Sequence, residues 1–64
     1  MAARNFETLA GARLFVAHLE DNGWIADTIP HITWHGFVYY RVVAMRPEED
    51  QEGFRVLQED GTLA

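Results

Sequence analysis

The chain carries no formal charge between His35 and Arg41, and around that gap lies Trp34–Arg46, WHGFVYYRVVAMR, its longest run of aromatic and β-branched residues. Such residues fit a pleated, half-buried surface, so the run predicts a central strand over 37–46. Successive side chains of a strand point to opposite faces. Val38, Tyr40, Val42 and Ala44 share one face, wholly apolar or aromatic and small at Val42 and Ala44, as packing beneath a helix requires. Phe37, Tyr39, Arg41, Val43 and Met45 share the other, where Arg41 points away from the core between Tyr39 and Val43. Everything else covers this strand, pairs with it or hangs off its end.

A covering helix precedes it. At 100° per residue, Leu9, Ala12, Phe15, Val16 and Leu19 fall within an arc of about 120°, which predicts a helix over about 6–22. Asn5 suits its N-cap and Glu7 its first turn. Asn22–Gly23 is a stop signal, because glycine adopts the left-handed conformation freely. Leu14 and Ala10 fall on the far side, and residues 1–4 read as a frayed end.

A first strand is predicted over 24–29, or over 24–34 if it continues past Pro30. Proline cannot donate to a ladder, so this strand belongs at an edge or breaks there. His35–Gly36 reads as a tight hairpin turn or as a glycine bulge within one long strand. After Pro47 comes an acidic loop over 47–53, then a short return strand over 54–58 and a turn at Asp60–Gly61. A helix followed by three strands on short links predicts antiparallel pairing. The expected fold is α+β: one N-terminal helix on a small three-stranded antiparallel sheet (αβββ), a single domain over 1–64.

Sixty-four residues bury a small core. Cysteine is absent, which removes disulfides, thiolate metal sites and thiol nucleophiles, and a cytoplasmic setting fits best. The N-terminus lacks the apolar run of a signal peptide, and no window reaches the roughly 18 apolar residues of a membrane span.

Ten acids face five arginines, giving a net charge of −5 with no lysine. Up to Arg46 the acids Glu7, Glu20, Asp21 and Asp27 balance Arg4, Arg13, Arg41 and Arg46; beyond it six acids face Arg55 alone. The whole excess sits in residues 47–64. Direct nucleic-acid binding needs cations to displace counterions, and an anionic membrane needs them too, so neither is expected. The aromatic set Trp24, Trp34, Phe37, Tyr39, Tyr40 and Phe54 lacks the interleaved basic residues of a base-stacking surface and reads mostly as core.

The chain has no serine, and none of its threonines stands in a nucleophile motif. The five glycines are scattered at 11, 23, 36, 53 and 61, so no phosphate cradle exists. His31 and His35 would lie about 13 Å apart on an extended chain; with Asp27 they form a candidate arrangement for a metal or for acid–base chemistry. No cofactor, no metal and no enzymatic activity are expected. The acidic segment carries more. Glu48, Asp50 and Glu52 would point one way at intervals of about 7 Å on an extended loop, joined by Glu49, Glu59 and Asp60. A line of carboxylates attracts a basic groove and speeds association. Tyr39 and Arg41, on the strand face turned from the helix, form a second candidate surface, for a partner or a second copy.

In size, charge, lack of cysteine and αβββ order the whole chain resembles the small acidic inhibitor proteins of phages and mobile elements, anti-CRISPR proteins among them. That resemblance implies a non-enzymatic protein that presents acidic side chains to the nucleic-acid-binding groove of a host defence complex, by mimicry of DNA charge. The alternatives are a monomeric or homodimeric module working through the Tyr39/Arg41 face, and a His/carboxylate metal protein.

Overall fold

A computed structural model of the chain describes residues 2–46 and 55–61. Their order is β1 (Ala2–Phe6), α1 (Leu9–Asp21), β2 (Ile25–Ile32), β3 (Val38–Met45) and β4 (Arg55–Val56), with the strands arranged β2-β3-β1-β4. The helix packs on three antiparallel strands, β2-β3-β1, so the architecture is α+β, as the sequence predicts. The aromatic run supplies the central strand. β2 and β1 are both antiparallel to β3 and hence parallel to each other, joined by α1, with β3 inserted between them.

The N-terminal segment departs from the prediction. Residues 2–6 are not frayed: they pair with β3, Ala2 opposite Ala44 and Phe6 opposite Tyr40. AARNF has weak β propensity, but β3 has two sides to satisfy and β2 takes only one. The C-terminal segment departs as well. β4 does not return beside β3, because β1 holds that place. It adds to the outer side of β1 in parallel, Ala2 opposite Arg55 and Ala3 opposite Val56, and Leu57 N donates to Ala3 O at 2.9 Å. The acidic loop 47–53 and Phe54, the start of the predicted return strand, lie outside the described residues.

The helix begins later than periodicity alone indicates. Residues 5 and 6 belong to the ladder, so Asn5 is not the cap and Glu7 precedes the first turn. Thr8 caps instead: its backbone is extended (φ −122°, ψ 146°) and its hydroxyl accepts from Gly11 N at 3.1 Å. The stop is as expected. Gly23 has φ +87°, Gly23 N donates to Glu20 O at 3.1 Å, and Trp24 N donates to Leu19 O at 3.0 Å. This is a Schellman motif, and its hydrophobic contact is Trp24 and Leu19 themselves, both buried in the core.

Ala12, Phe15 and Leu19 of the helix meet Ala2, Val42 and Ala44 of the sheet, with Trp24 and Leu57 closing the cluster. Of the β3 face predicted to lie beneath the helix, Val42 and Ala44 are buried and Tyr40 packs against the cluster, while Val38, at the hairpin end beyond the helix, is exposed. Alanines at positions 2, 12 and 44 let helix and sheet approach closely. They also keep the core thin: its largest fully buried side chains are Leu19, Leu57 and Val42. The opposite face of the sheet has no described element over it.

Candidate interaction surface

β2 and β3 form a hairpin closed by Trp34, His35 and Gly36. Gly36 N donates to Thr33 O at 2.9 Å, Thr33 N donates to Phe37 O at 2.8 Å, and Gly36 has φ +87°. A type I turn followed by a left-handed glycine is the usual three-residue hairpin loop; the sequence reading of a tight turn at His35–Gly36 is the one realised. The apolar residues around this loop stand in solvent. Trp34 is 90% exposed, Ile32 75% and Phe37 72%, and Val38, opposite Ile32, is exposed too. His35 lies against the Trp34 ring, centroids 3.7 Å apart. Phe37 lies on the outer face, while Ile32 and Val38 lie on the helix side without being covered, so the hairpin end is apolar on both faces.

The outer sheet face continues from it. Rows set by the register run His31–Tyr39, Ile29–Arg41–Asn5, Asp27–Val43–Ala3 and Ile25–Met45. His31 stacks on Tyr39 with centroids 5.2 Å apart and planes 9° from parallel. Arg41 is held flat between neighbours: Nε donates to Asn5 Oδ1 at 3.1 Å, the guanidinium donates to Tyr39 Oη at 3.4 Å, and its carbon lies 5.7 Å from the Tyr39 ring centre. Ile25, Ile29 and Met45 remain exposed. Tyr39 and Arg41, singled out in the sequence, thus share a surface that is otherwise apolar.

The free edge of the sheet at β2 is less open than its length implies. Thr33 and Phe37 are a hydrogen-bonded pair, and antiparallel ladders alternate bonded and non-bonded pairs. The backbone groups of His31, Ile29, Asp27 and Ile25 therefore face β3, and those of Ile32, Pro30, Thr28 and Ala26 face outward. Pro30 has no N–H to offer, and Thr28 N already donates to Asp27 Oδ1 at 2.8 Å. Pro30 is accommodated at an edge, as expected, and it blunts that edge against further strands.

The acidic candidates divide. Glu48, Glu49, Asp50 and Glu52 lie outside the described residues. Glu59 and Asp60 are exposed, but on the helix side: Glu59 Oε1 sits 3.4 Å from the Arg4 guanidinium, and the Asp60 carbonyl accepts from His18 Nε2 at 3.0 Å. They border a groove with Phe6, Leu14, Phe15 and His18. The structure thus brings Glu59 and Asp60 together, brings Tyr39 and Arg41 together, and puts the two pairs on opposite faces of the sheet.

The residues weighed for metal or acid–base chemistry do not converge. His31 is stacked on Tyr39, His35 is at the hairpin tip against Trp34, and Asp27 lies two rows from His31. Among the described residues no group of three or more His, Asp or Glu could hold a metal ion. A groove of about 280 Å³ between Ile25, Asp27, Val43 and Met45 is apolar apart from Asp27 and smaller than most ligand sites. Among the described residues no helix is long and apolar enough to cross a membrane.

From the sequence most of the aromatics read as core, and Ile32, Trp34 and Phe37 do not stand out as a surface. The signal was present: three large apolar side chains stand within four residues of the turn glycine Gly36, where one short helix cannot cover them. Comparison with protein-family models, with curated proteins and with solved structures finds no match to this chain.

Proposed function

We propose that this chain is a small non-enzymatic interaction protein that anchors on another protein through the tip of its β2–β3 hairpin. The observation that carries this reading is the exposure of Trp34 beside Ile32, Phe37 and Val38 at a rigidly bonded turn. Tryptophan dominates binding energy when it enters a desolvated pocket. A hairpin tip is a shape that enters one. The acidic C-terminal third raises the encounter rate with a partner whose surface is basic, since rim charges act mainly on association. Absence of cysteine supports a cytoplasmic setting.

The test places a photo-crosslinking residue at position 35, captures the partner in native extract, and measures its affinity for purified variants. Trp34→Ala with Phe37→Ala is expected to weaken binding at least about 100-fold. Affinity unchanged by that pair of substitutions overturns the anchor.

A second reading is favoured by the confinement of the whole −5 charge to residues 47–64. In it the acids themselves are the interface, presented to a basic nucleic-acid-binding groove of a host defence complex in the manner of anti-CRISPR inhibitors. Replacing Glu48, Glu49 and Glu52 with glutamine and Asp50 with asparagine then removes most of the affinity and flattens its salt dependence. On the anchor reading the same change slows association and leaves dissociation nearly untouched.

A further inference from the structure

The outer sheet face poses a question separate from the hairpin tip: what covers Ile25, Ile29, Tyr39, Val43 and Met45. We propose that a second copy of this chain does. The two outer faces would pack around a twofold axis lying in the interface, with Asp27 of each copy opposite Arg41 of the other.

The face is charge-balanced in a way that suits a copy of itself. Among the described residues, its full charges between the β2–β3 hairpin loop and Met45 are one carboxylate, Asp27, and one guanidinium, Arg41. Asp27 stands on β2 opposite Val43, and Arg41 on β3 opposite Ile29, so the two are diagonal neighbours. A twofold axis running between them exchanges their positions and meets each charge with its opposite, twice over. Isologous contacts have this self-complementarity. A strongly acidic or basic partner would leave one of the two charges opposed by its like.

Arg41 is already held in place. Its bonds to Asn5 and Tyr39 fix the guanidinium, so little side-chain freedom is lost on pairing. Asp27 accepts from Thr28 N with one oxygen and keeps further acceptor capacity on the other.

The area is sufficient. Two eight-residue strands and β1 beside them make a plate about 25 Å by 15 Å, from strand rise and spacing. With side-chain relief, a face-to-face pair would bury about 1,000 Å² in total, the lower bound of a specific interface. Edge-to-edge joining through β2, the long edge strand, is disfavoured by Pro30 and by the occupied Thr28 amide, whereas the outer face offers a broad apolar surface to a symmetric pair. Packing of the faces would also thicken a thin core by adding a second apolar layer about 10 Å away.

Sedimentation equilibrium over a concentration series tests this. The wild-type chain is expected at twice 7.3 kDa, and a single 7.3 kDa species up to about 1 mM overturns the proposal. Asp27→Arg and Arg41→Asp should each weaken the dimer at least about 100-fold, because each sets like charges face to face twice. Mixing the two variants should restore a dimer, since the chain with two arginines then meets the chain with two aspartates. Failure of the mixture to associate overturns the Asp27–Arg41 arrangement. Circular dichroism checks that each variant folds; if a reversal does not, Asp27→Asn and Arg41→Gln take its place, each expected to weaken the dimer about tenfold. Trp34→Ala leaves the dimer intact, so loss of the hairpin anchor and loss of the dimer are read separately.

Discussion

The two tryptophans of this protein lie at opposite ends of one hairpin. At its base, Trp24 is 5% exposed, seated on Leu19 at the helix stop, with the Arg46 guanidinium 4.4 Å above its ring. At its tip, Trp34 is 90% exposed and its ring touches only the neighbouring His35 among the described ring contacts. Composition treats them alike; their surroundings do not. The base is where the single helix reaches, and there the aromatic ring stabilises the fold. The tip runs past it, and there the same side chain contributes nothing to the core and stays available for contact.

Trp24→Ala breaks the base and should cost about 3–5 kcal/mol, enough to unfold most of the population of so small a domain, as read by urea denaturation. Gly23→Ala comes next. Its Cβ would meet nothing within 4 Å, so the cost is backbone strain alone, about 1–2 kcal/mol at φ +87°. Gly36 has the same φ and the same open space. Its alanine variant should cost less than about 1 kcal/mol globally, because a solvated tip opens locally without taking the core with it. Equal costs at the two glycines would show that tip and base unfold as one. Trp34→Ala should fall within about 0.5 kcal/mol of wild type, and its effect appears only in partner binding. Fluorescence sharpens the contrast: Trp24→Phe leaves red-shifted, readily quenched emission, and Trp34→Phe leaves the blue-shifted, protected signal.

The same division sets what could be read from the sequence. The central strand, its inward face of Val42 and Ala44, the helix arc at Ala12, Phe15 and Leu19 and the stop at Gly23 were legible because each is encoded locally, in alternation, periodicity or a glycine; Leu9, on the same arc, is exposed in the first turn. β1 was not, since Ala2, Ala3 and Asn5 carry no strand signal of their own and pair only because β3 has a side left open. The place of β4 follows from β1 and was lost with it. The Tyr39–Arg41 surface was visible as an outward face too apolar for water. Its charge pairing was hidden, because Asp27 becomes a neighbour of Arg41 only through the register between strands. The hairpin tip was obscured for a different reason: aromatic residues in a short chain belong to the core more often than not, and what decides the matter is how far one helix extends.

One detail of the sheet bears on how the chain acquires its structure. β1 lies between β3 and β4, and Leu57 N donates to Ala3 O, so residues more than fifty positions apart share a ladder. Loops of that span close slowly and gain little until the last contact forms. No partial chain ending before Tyr40 has a β3 partner for β1, and none ending before Leu57 has a complete core. Folding is therefore expected to be late and concerted, with the amides of β1 and β3 exchanging together in a single step and the helix alone holding no lasting structure.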